Sequence, residues 1–304
     1  MRIIGAKRQS GLELAWLAIS AVGLMAACSE AESSGTTSSG SGDDSGATTD
    51  AAVGTGGTGG TGGTGGTGSG STEVAYRVNS LDLVDPPIFA TGCLVNVSGA
   101  VNDAVTESVT TDVDEDGFID TNLVQLVTAP TLTIGDVMDA ELVAPQCVEP
   151  AASTSCTMPS DALRTATSIE NVGGGAVCFA PIAGTTAGGA GVNTPTASAT
   201  TICGVADIGA LVVGLGGINI VMEDTTMAAE WVGAPATGMT NGVVAGFITE
   251  AVAASATLPD DAPIIGGTPL GTHLCAGDRD NHPVHGLGWW FYLNFTAESV
   301  PYSE

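Results

Sequence analysis

The most strand-like stretch of the chain is WWFYLNF, residues 289–295, which holds five of the thirteen aromatic residues. Successive side chains of a strand point to opposite faces. One face would carry Trp289, Phe291, Leu293 and Phe295, and the other Trp290, Tyr292 and Asn294. Large aromatic residues dominate β cores, which favours burial of both faces. The alternative is that Trp290 and Tyr292 are exposed and stack on a sugar or on a ring of a partner.

Short runs of alternating apolar and polar residues, separated by Gly and Pro, extend back from this stretch to Glu73. The predicted strands are 74–83, 123–127, 131–134, 140–144, 211–213 and 218–222. Helical spacing of apolar residues predicts two short helices, at 101–111 and 246–257. Residues 73–304 are therefore expected to form a single mainly β domain with two short helices, most simply a β-sandwich.

Residues 28–72 have a different composition, mostly Gly, Ser, Thr, Ala and Asp, and residues 54–68 repeat Gly-Thr-Gly. Such a segment cannot bury enough apolar surface to offset the entropy lost on ordering. It is predicted to be a disordered low-complexity linker. As a Gly-rich coil it would span ~35–40 Å, which would hold a domain clear of a surface.

Residues 1–27 carry three basic residues in their first half, followed by the apolar run LAWLAISAVGLMAA. This run is shorter than the ~20 residues that a membrane-spanning helix needs. A basic head, a short apolar segment and small residues before a cleavage point are typical of a secretory signal peptide. The sequence therefore predicts export.

The segment before the predicted cleavage point, Met25-Ala26-Ala27-Cys28, resembles the lipobox of bacterial lipoproteins. The resemblance implies a covalent lipid on Cys28 and anchoring of the protein in a membrane of the cell envelope. Ser29 follows the cysteine, which in that family favours the outer membrane. The alternative is an ordinary signal peptide, with Cys28 unmodified or removed.

Beyond residue 27 the chain is strongly acidic. It holds 32 acidic residues against three basic ones, Arg77, Arg164 and Arg279, and its formal charge is −29. Nucleic-acid binding needs clustered Lys and Arg, so a nucleic-acid partner is not expected. The same charge argues against docking on anionic lipid without an anchor. It favours solubility and cation binding.

Six cysteines follow Cys28 in the chain, and an even number in an exported protein is typical of a disulfide framework. They are Cys93, Cys147, Cys156, Cys178, Cys203 and Cys275. The sequence does not select among the fifteen possible connectivities. Spacing favours Cys147 with Cys156, which flank a short loop, and Cys93 with Cys275, which would join the ends of the domain.

Residues 112–120, DVDEDGFID, form an acidic loop in which carboxylates alternate with other residues around Gly117. The loop resembles the DxDxDG calcium loops of EF-hands, dockerins and thrombospondin type 3 repeats. The resemblance implies that the calcium ligands are the side chains of Asp112, Asp114, Asp116 and Asp120 and the carbonyl oxygen of Phe118. Leu123 stands where EF-hands place a bidentate Glu, so a full EF-hand is not expected. The alternative is a solvated acidic turn.

All three histidines lie within a short segment that also contains two aspartates. The set is His273, Asp278, Asp280, His282 and His285. Imidazoles and carboxylates are ligands of zinc and related metals, and such a site could activate water. Pro283 separates His282 from His285, so the pair is not part of an HExxH helix. A surface cluster of polar residues is the alternative.

These patterns predict an envelope lipoprotein that displays a calcium-stabilised, disulfide-bonded β domain with a binding or structural role. A protein or a glycan would be its ligand. The alternative is a metal-dependent envelope hydrolase that uses the histidine set. The chain has no G-x-S-x-G, P-loop or H-E-x-x-H motif, so the sequence favours the role without catalysis.

Overall fold

The structure, a computed structural model, describes residues 73–304 except 161, 163, 184, 186–190, 216–217, 261 and 263. The predicted signal peptide, Cys28 and the predicted linker lie outside the described residues. No helix in the described part of the chain has the length and apolar character needed to cross a membrane.

The strands that the structure describes are named here in chain order. They are β1 (Glu73–Asp85), β2 (Val124–Thr128), β3 (Val137–Val143), β4 (Gln146–Cys147), β5 (Cys156–Thr157), β6 (Arg164–Val172), β7 (Cys203–Leu215), β8 (Ile218–Val232), β9 (Gly238–Thr249), β10 (Asp280–His282), β11 (Gly286–Val300) and β12 (Tyr302–Ser303). The α-helices are α1 (Ser98–Thr110) and α2 (Glu250–Ser255). Short 3₁₀ turns lie at Ala151–Ser153, Leu270–His273 and Ala276–Asp278.

The long strands close into an eight-stranded antiparallel barrel, so the predicted β-sandwich is wrong. Their order around the barrel is β1, β2, β3, β6, β7, β8, β9 and β11, and β11 pairs with β1. Each long strand therefore lies beside the next one in the chain, as in an up-and-down barrel. Alternation of apolar residues specifies two faces of a sheet. Whether its edges pair depends on the contact between β1 and β11, which the local sequence does not encode.

The barrel interior is filled by side chains. One cluster of buried residues draws members from all eight strands, including Tyr76, Trp231 and the inner face of β11, so it occupies the space inside the barrel. An eight-stranded barrel is just wide enough for side chains to fill.

The outer face of β11 is also buried, as the sequence predicted. Trp290 is 9% exposed and Tyr292 is fully buried. Both pack with Phe179 and Val192 from the segment between β6 and β7, which covers the barrel there. The alternative in which the two aromatic side chains stack on a ligand is therefore wrong.

Three disulfides join the six cysteines of the described domain, as predicted. The pairs are Cys93 with Cys275, Cys147 with Cys156, and Cys178 with Cys203. The second pair links β4 to β5, which form a small outer sheet with β12. The third joins the covering segment to the start of β7.

The helix predicted at 101–111 is confirmed as α1, but the one predicted at 246–257 is mostly wrong. β9 continues to Thr249, whose side chain caps α2 by accepting a hydrogen bond from the backbone N–H of Val252. A Cβ at Gly246 would lie 2.7 Å from Thr225 Oγ1 and 2.8 Å from Met222 Cε. Close packing against β8 therefore determines the conformation here. Residues 131–134 are not a strand, and β6 was not predicted.

Candidate metal sites

The carboxylates of the acidic loop converge. Asp112, Asp114 and Asp116 each offer an oxygen within 4.8 Å of the others. The backbone N–H groups of Asp116 and Gly117 donate to the Asp112 carboxylate at 3.0 and 2.6 Å. Gly117 has φ +97°, a conformation that favours glycine, as expected at the bend. The loop therefore folds around the side chain of Asp112.

The exit of the acidic loop is docked on the disulfide-linked β4–β5 hairpin. Ile119 is 2% exposed, and its N–H donates to the carbonyl of Cys147 at 2.8 Å. Phe118 forms an isolated antiparallel bridge with Val148. Leu123, where an EF-hand would supply a bidentate Glu, is partly buried against the barrel core instead. The loop therefore belongs to the barrel and not to an EF-hand helix pair.

Arg77 ties the chain before the acidic loop to the chain after it. It lies on β1 and is 1% exposed. Its Nε donates to Asn122 Oδ1 at 2.8 Å, and its guanidinium also donates to the Val109 carbonyl near the end of α1. A cation is favourable at a helix C-terminus. Burial lowers the pKa of Arg77 to about 10, so the side chain stays charged at neutral pH.

The pKa of Asp120 reflects the crowding of negative charge in the acidic loop. Its Oδ1 accepts a hydrogen bond from the N–H of Val113 at 3.0 Å. Burial raises the pKa of Asp120, and the charges of Asp114 and Asp112 raise it further, while the bond from Val113 opposes the shift. A bound cation would relieve this repulsion because it would favour the ionised form of every carboxylate around it.

The structure brings together only two of the five residues of the predicted histidine set in one group of metal-ligating atoms. His273 is buried, and both of its ring nitrogens have partners: Nδ1 lies 2.8 Å from the Phe89 carbonyl and Nε2 lies 2.6 Å from Thr268 Oγ1. It therefore stabilises the loops at this end of the barrel. Among the described residues, His273 is not in the group of metal-ligating atoms that contains His282 and His285.

Asp278 and Asp280 lie near a different group, the buried carboxyl of Asp85. Asp85 is 7% exposed, and its Oδ2 has no hydrogen-bond partner among the described residues. Burial, with the charges of Asp278 and Asp280, raises the pKa of Asp85 to about 6. Neither aspartate joins the group of metal-ligating atoms around His282 and His285.

His282 and His285 do come together, and the structure adds Asp224, which the sequence did not predict. His282 Nε2 lies 2.9 Å from Asp224 Oδ2, and His285 Nε2 lies 3.5 Å from the same oxygen. We call these three residues the His–Asp cluster. Asp224 lies in β8, at an irregularity where the pairing with β9 shifts register. The sequence does offer one sign of this site, because Glu223 and Asp224 are adjacent acidic residues inside an otherwise apolar strand.

A small cavity remains inside the barrel beside Gln125. Its volume is about 10 Å³, room for one water molecule. The Gln125 side-chain amide is buried there, and neither its oxygen nor its nitrogen has a partner among the described residues. The cavity is too small for an organic ligand.

Comparison of the chain with protein-family models, with curated proteins and with solved structures gives no match.

Proposed function

We propose that this protein is an envelope-anchored lipoprotein whose barrel domain has a binding or structural role and is stabilised by one calcium ion in the acidic loop. The observation that carries the calcium proposal is the convergence of the Asp112, Asp114 and Asp116 carboxylates within 4.8 Å of one another. The loop joins α1 to β2 and is held to the β4–β5 hairpin. An ion there would therefore stabilise α1, β2 and the β4–β5 hairpin together.

The chemistry of the loop suits calcium. Calcium takes six to eight oxygen ligands, and three clustered carboxylates with Asp120, the Phe118 carbonyl and water can supply that number. The absence of a bidentate Glu at Leu123 points to weak binding, with a dissociation constant of ~10⁻⁴–10⁻³ M, as in extracellular modules. Such an affinity fits a protein that works outside the cytoplasm.

The lipid anchor is the second part of the proposal and rests on the lipobox-like segment that ends at Cys28. Cells that express the protein would be labelled with a radioactive fatty acid. We expect label on the wild type and none on Cys28→Ala, which should move to the soluble fraction. Equal labelling of the two proteins would show that Cys28 carries no lipid.

The filled interior bears on the binding role. Buried side chains occupy the barrel interior, where the cavity beside Gln125 is too small for an organic ligand, and the aromatic residues of β11 are covered on both faces. A partner would therefore contact the outer loops, which favours a protein over a sugar that stacks on aromatic rings. The hydrolase alternative is not proposed, because His273, Asp278 and Asp280 are not in the group of metal-ligating atoms at His282 and His285.

Thermal unfolding of the soluble Cys28→Ala chain tests the calcium proposal. At a calcium concentration about 100-fold above the dissociation constant, binding should add ~2.7 kcal/mol to the free energy of unfolding. A chelator should remove this gain. Asp112→Asn combined with Asp116→Asn should abolish the calcium response and keep the response to sodium chloride, which screens the general negative charge.

The matched control is Asp139→Asn combined with Asp207→Asn, which changes the same charge at exposed positions of β3 and β7. This control should respond to calcium as the parent chain does. If calcium and sodium chloride of matched ionic strength stabilise all three proteins equally, the loop is an acidic turn and the calcium proposal is wrong.

A further inference from the structure

Outside the acidic loop, the described part of the chain holds one other group of candidate metal ligands, the His–Asp cluster. Its three ligand atoms lie within 4.8 Å of one another. We infer that Asp224, His282 and His285 bind one divalent transition-metal ion of the zinc class on the outside of the barrel. This site differs from the acidic loop in position and in donor chemistry.

The donor set indicates which metal binds. Two imidazole nitrogens and one carboxylate oxygen suit zinc, nickel, copper and cobalt, whereas calcium takes oxygen ligands. Ligand atoms that lie ~2.0–2.2 Å from one ion are themselves roughly 3.0–3.5 Å apart. The Asp224 oxygen already lies 2.9 and 3.5 Å from the two Nε2 atoms. The three ligand atoms would therefore need to move little to reach one ion, although the hydrogen bonds to the other ring nitrogen of His282 would have to change.

The fold holds each ligand in place by a different means. Asp224 has φ +47° at the register shift of β8, and such an irregularity can redirect a side chain. His282 lies at the end of β10, and its ring centroid is 4.9 Å from that of Phe247 and 5.6 Å from that of Trp290. His285 lies in the turn between β10 and β11. The barrel therefore assembles the site from segments that are distant in the chain.

The site is open to an ion from solvent. The side chain of His282 is 9% exposed, that of His285 is 25% exposed and that of Asp224 is 51% exposed. An ion held by these three residues would keep its remaining coordination positions for water. This is the arrangement of zinc sites with three protein ligands, as opposed to closed four-ligand structural sites.

Hydrogen bonds hold the side chains of the His–Asp cluster, and a bound ion must rearrange them. His282 Nδ1 accepts hydrogen bonds from the N–H groups of Val284 and His285, both at 3.2 Å. Nε2 therefore carries the ring hydrogen and donates a hydrogen bond to Asp224 Oδ2. When Nε2 binds a metal, the ring hydrogen lies on Nδ1. Nδ1 can then no longer accept hydrogen bonds, so both hydrogen bonds from the backbone must break. Ion binding should therefore shift the turn between β10 and β11.

Titration calorimetry with zinc tests the inference, using the untagged Cys28→Ala chain with excess calcium to occupy the acidic loop. We expect one zinc ion per chain. Asp224→Asn and His285→Gln should each weaken binding by at least tenfold. Both variants should fold, because Asn tolerates a positive φ and His285 is partly exposed. The matched control Asp207→Asn removes an exposed carboxylate from the neighbouring strand and should bind zinc as the parent does.

A second readout locates the ion. Nickel or copper bound at His282 should quench the fluorescence of Trp290, whose ring lies against that of His282, and Asp224→Asn should reduce this quenching at equal metal concentration. A zinc dissociation constant weaker than about 1 mM would overturn the inference. Equal zinc binding by the parent, Asp224→Asn and His285→Gln would also overturn it. So would loss of zinc binding in the Asp112→Asn, Asp116→Asn variant, which would place the ion in the acidic loop.

Discussion

The acidic loop and the His–Asp cluster lie on the same barrel but are built in opposite ways. All proposed ligands of the acidic loop lie within residues 112–120, and the backbone of the loop itself orients them. The His–Asp cluster takes Asp224 from β8 and its histidines from the segment around the β10–β11 turn. A site of the first kind is readable in the sequence. A site of the second kind exists only once the barrel has closed.

Each site also has its own support. The acidic loop rests on the hairpin that contains the Cys147–Cys156 bridge. His282 rests on Phe247 and Trp290, which pack under the segment closed by the Cys178–Cys203 bridge. The two regions should therefore respond independently to changes in their supports.

The largest expected effect comes from Arg77→Met. The substitution leaves Val109 and Asn122 without a buried, charged hydrogen-bond donor, and each such bond contributes ~1.5–3 kcal/mol. We expect a loss of ~3–5 kcal/mol in the free energy of unfolding, measured in urea, and a weaker calcium response. The zinc response should persist. Arg164→Met is the control, because Arg164 forms exposed ion pairs with Glu141 and Glu304, and such pairs contribute little to stability. Equal losses in the two variants would contradict the role of Arg77.

Removal of a single disulfide should separate the two regions. Cys147→Ala with Cys156→Ala should reduce the calcium response and spare zinc binding. Cys178→Ala with Cys203→Ala should do the reverse. Each pair should lower stability by ~2–4 kcal/mol, and the second should lose more because its bridge closes the longer loop. Thermal unfolding with and without each ion measures both effects. If either double variant weakens both ion responses equally, the two sites are not independent.

A change at Asp85 tests whether a third cation site exists beside Asp278 and Asp280. In the folded protein the pKa of Asp85 is about 6, well above that of an exposed Asp. The protonated form therefore stabilises the fold below about pH 4, and this contribution is lost as the pH rises through 6. Asp85→Asn should be more stable than the parent at pH 7, by roughly 2–3 kcal/mol. The difference should disappear near pH 4.

Urea unfolding of the parent and of Asp85→Asn, with ions chelated, would trace this difference from pH 4 to pH 7. Parallel profiles across that range would contradict the raised pKa. The stability difference between Asp85→Asn and the parent could also appear with chelator and vanish when calcium or zinc is added. That result would show that a cation binds at Asp85, in a third site beside the acidic loop and the His–Asp cluster.

The smallest expected effect is that of Asp224→Asn without a metal ion. The carboxylate is half exposed, and its bond to His282 should contribute little. We expect the free energy of unfolding to change by under ~0.5 kcal/mol in urea with chelator present. A loss above ~2 kcal/mol would show that Asp224 supports the fold itself. The tenfold weakening of zinc binding would then be measured with His285→Gln, whose side chain is partly exposed.

Several features of the fold could be predicted because they depend on neighbours in the chain. Alternation along residues 289–295 predicted the two faces of β11, and the aromatic content predicted that both are buried. The short spacing of Cys147 and Cys156 favoured their bridge. Asp112, Asp114 and Asp116 converge because alternate residues around a glycine bend can turn to one side. In each case the relevant atoms are separated by a few residues, so local backbone geometry determines where they lie.

The tertiary structure alone decided the rest. A sheet with two apolar faces can stack on another sheet or close on itself, and the pairing of β1 with β11 selected the barrel. Residues 246–249 have helical spacing, but close packing of Gly246 against β8 keeps them extended. Asp224 meets His282 and His285 only because β8 and β11 flank β9, and the β10–β11 turn brings the two histidines over β9 toward β8. The barrel closure, the extended conformation of residues 246–249 and the assembly of the His–Asp cluster all depend on contacts between distant segments. The energies of such contacts cannot be predicted from a local pattern of residues.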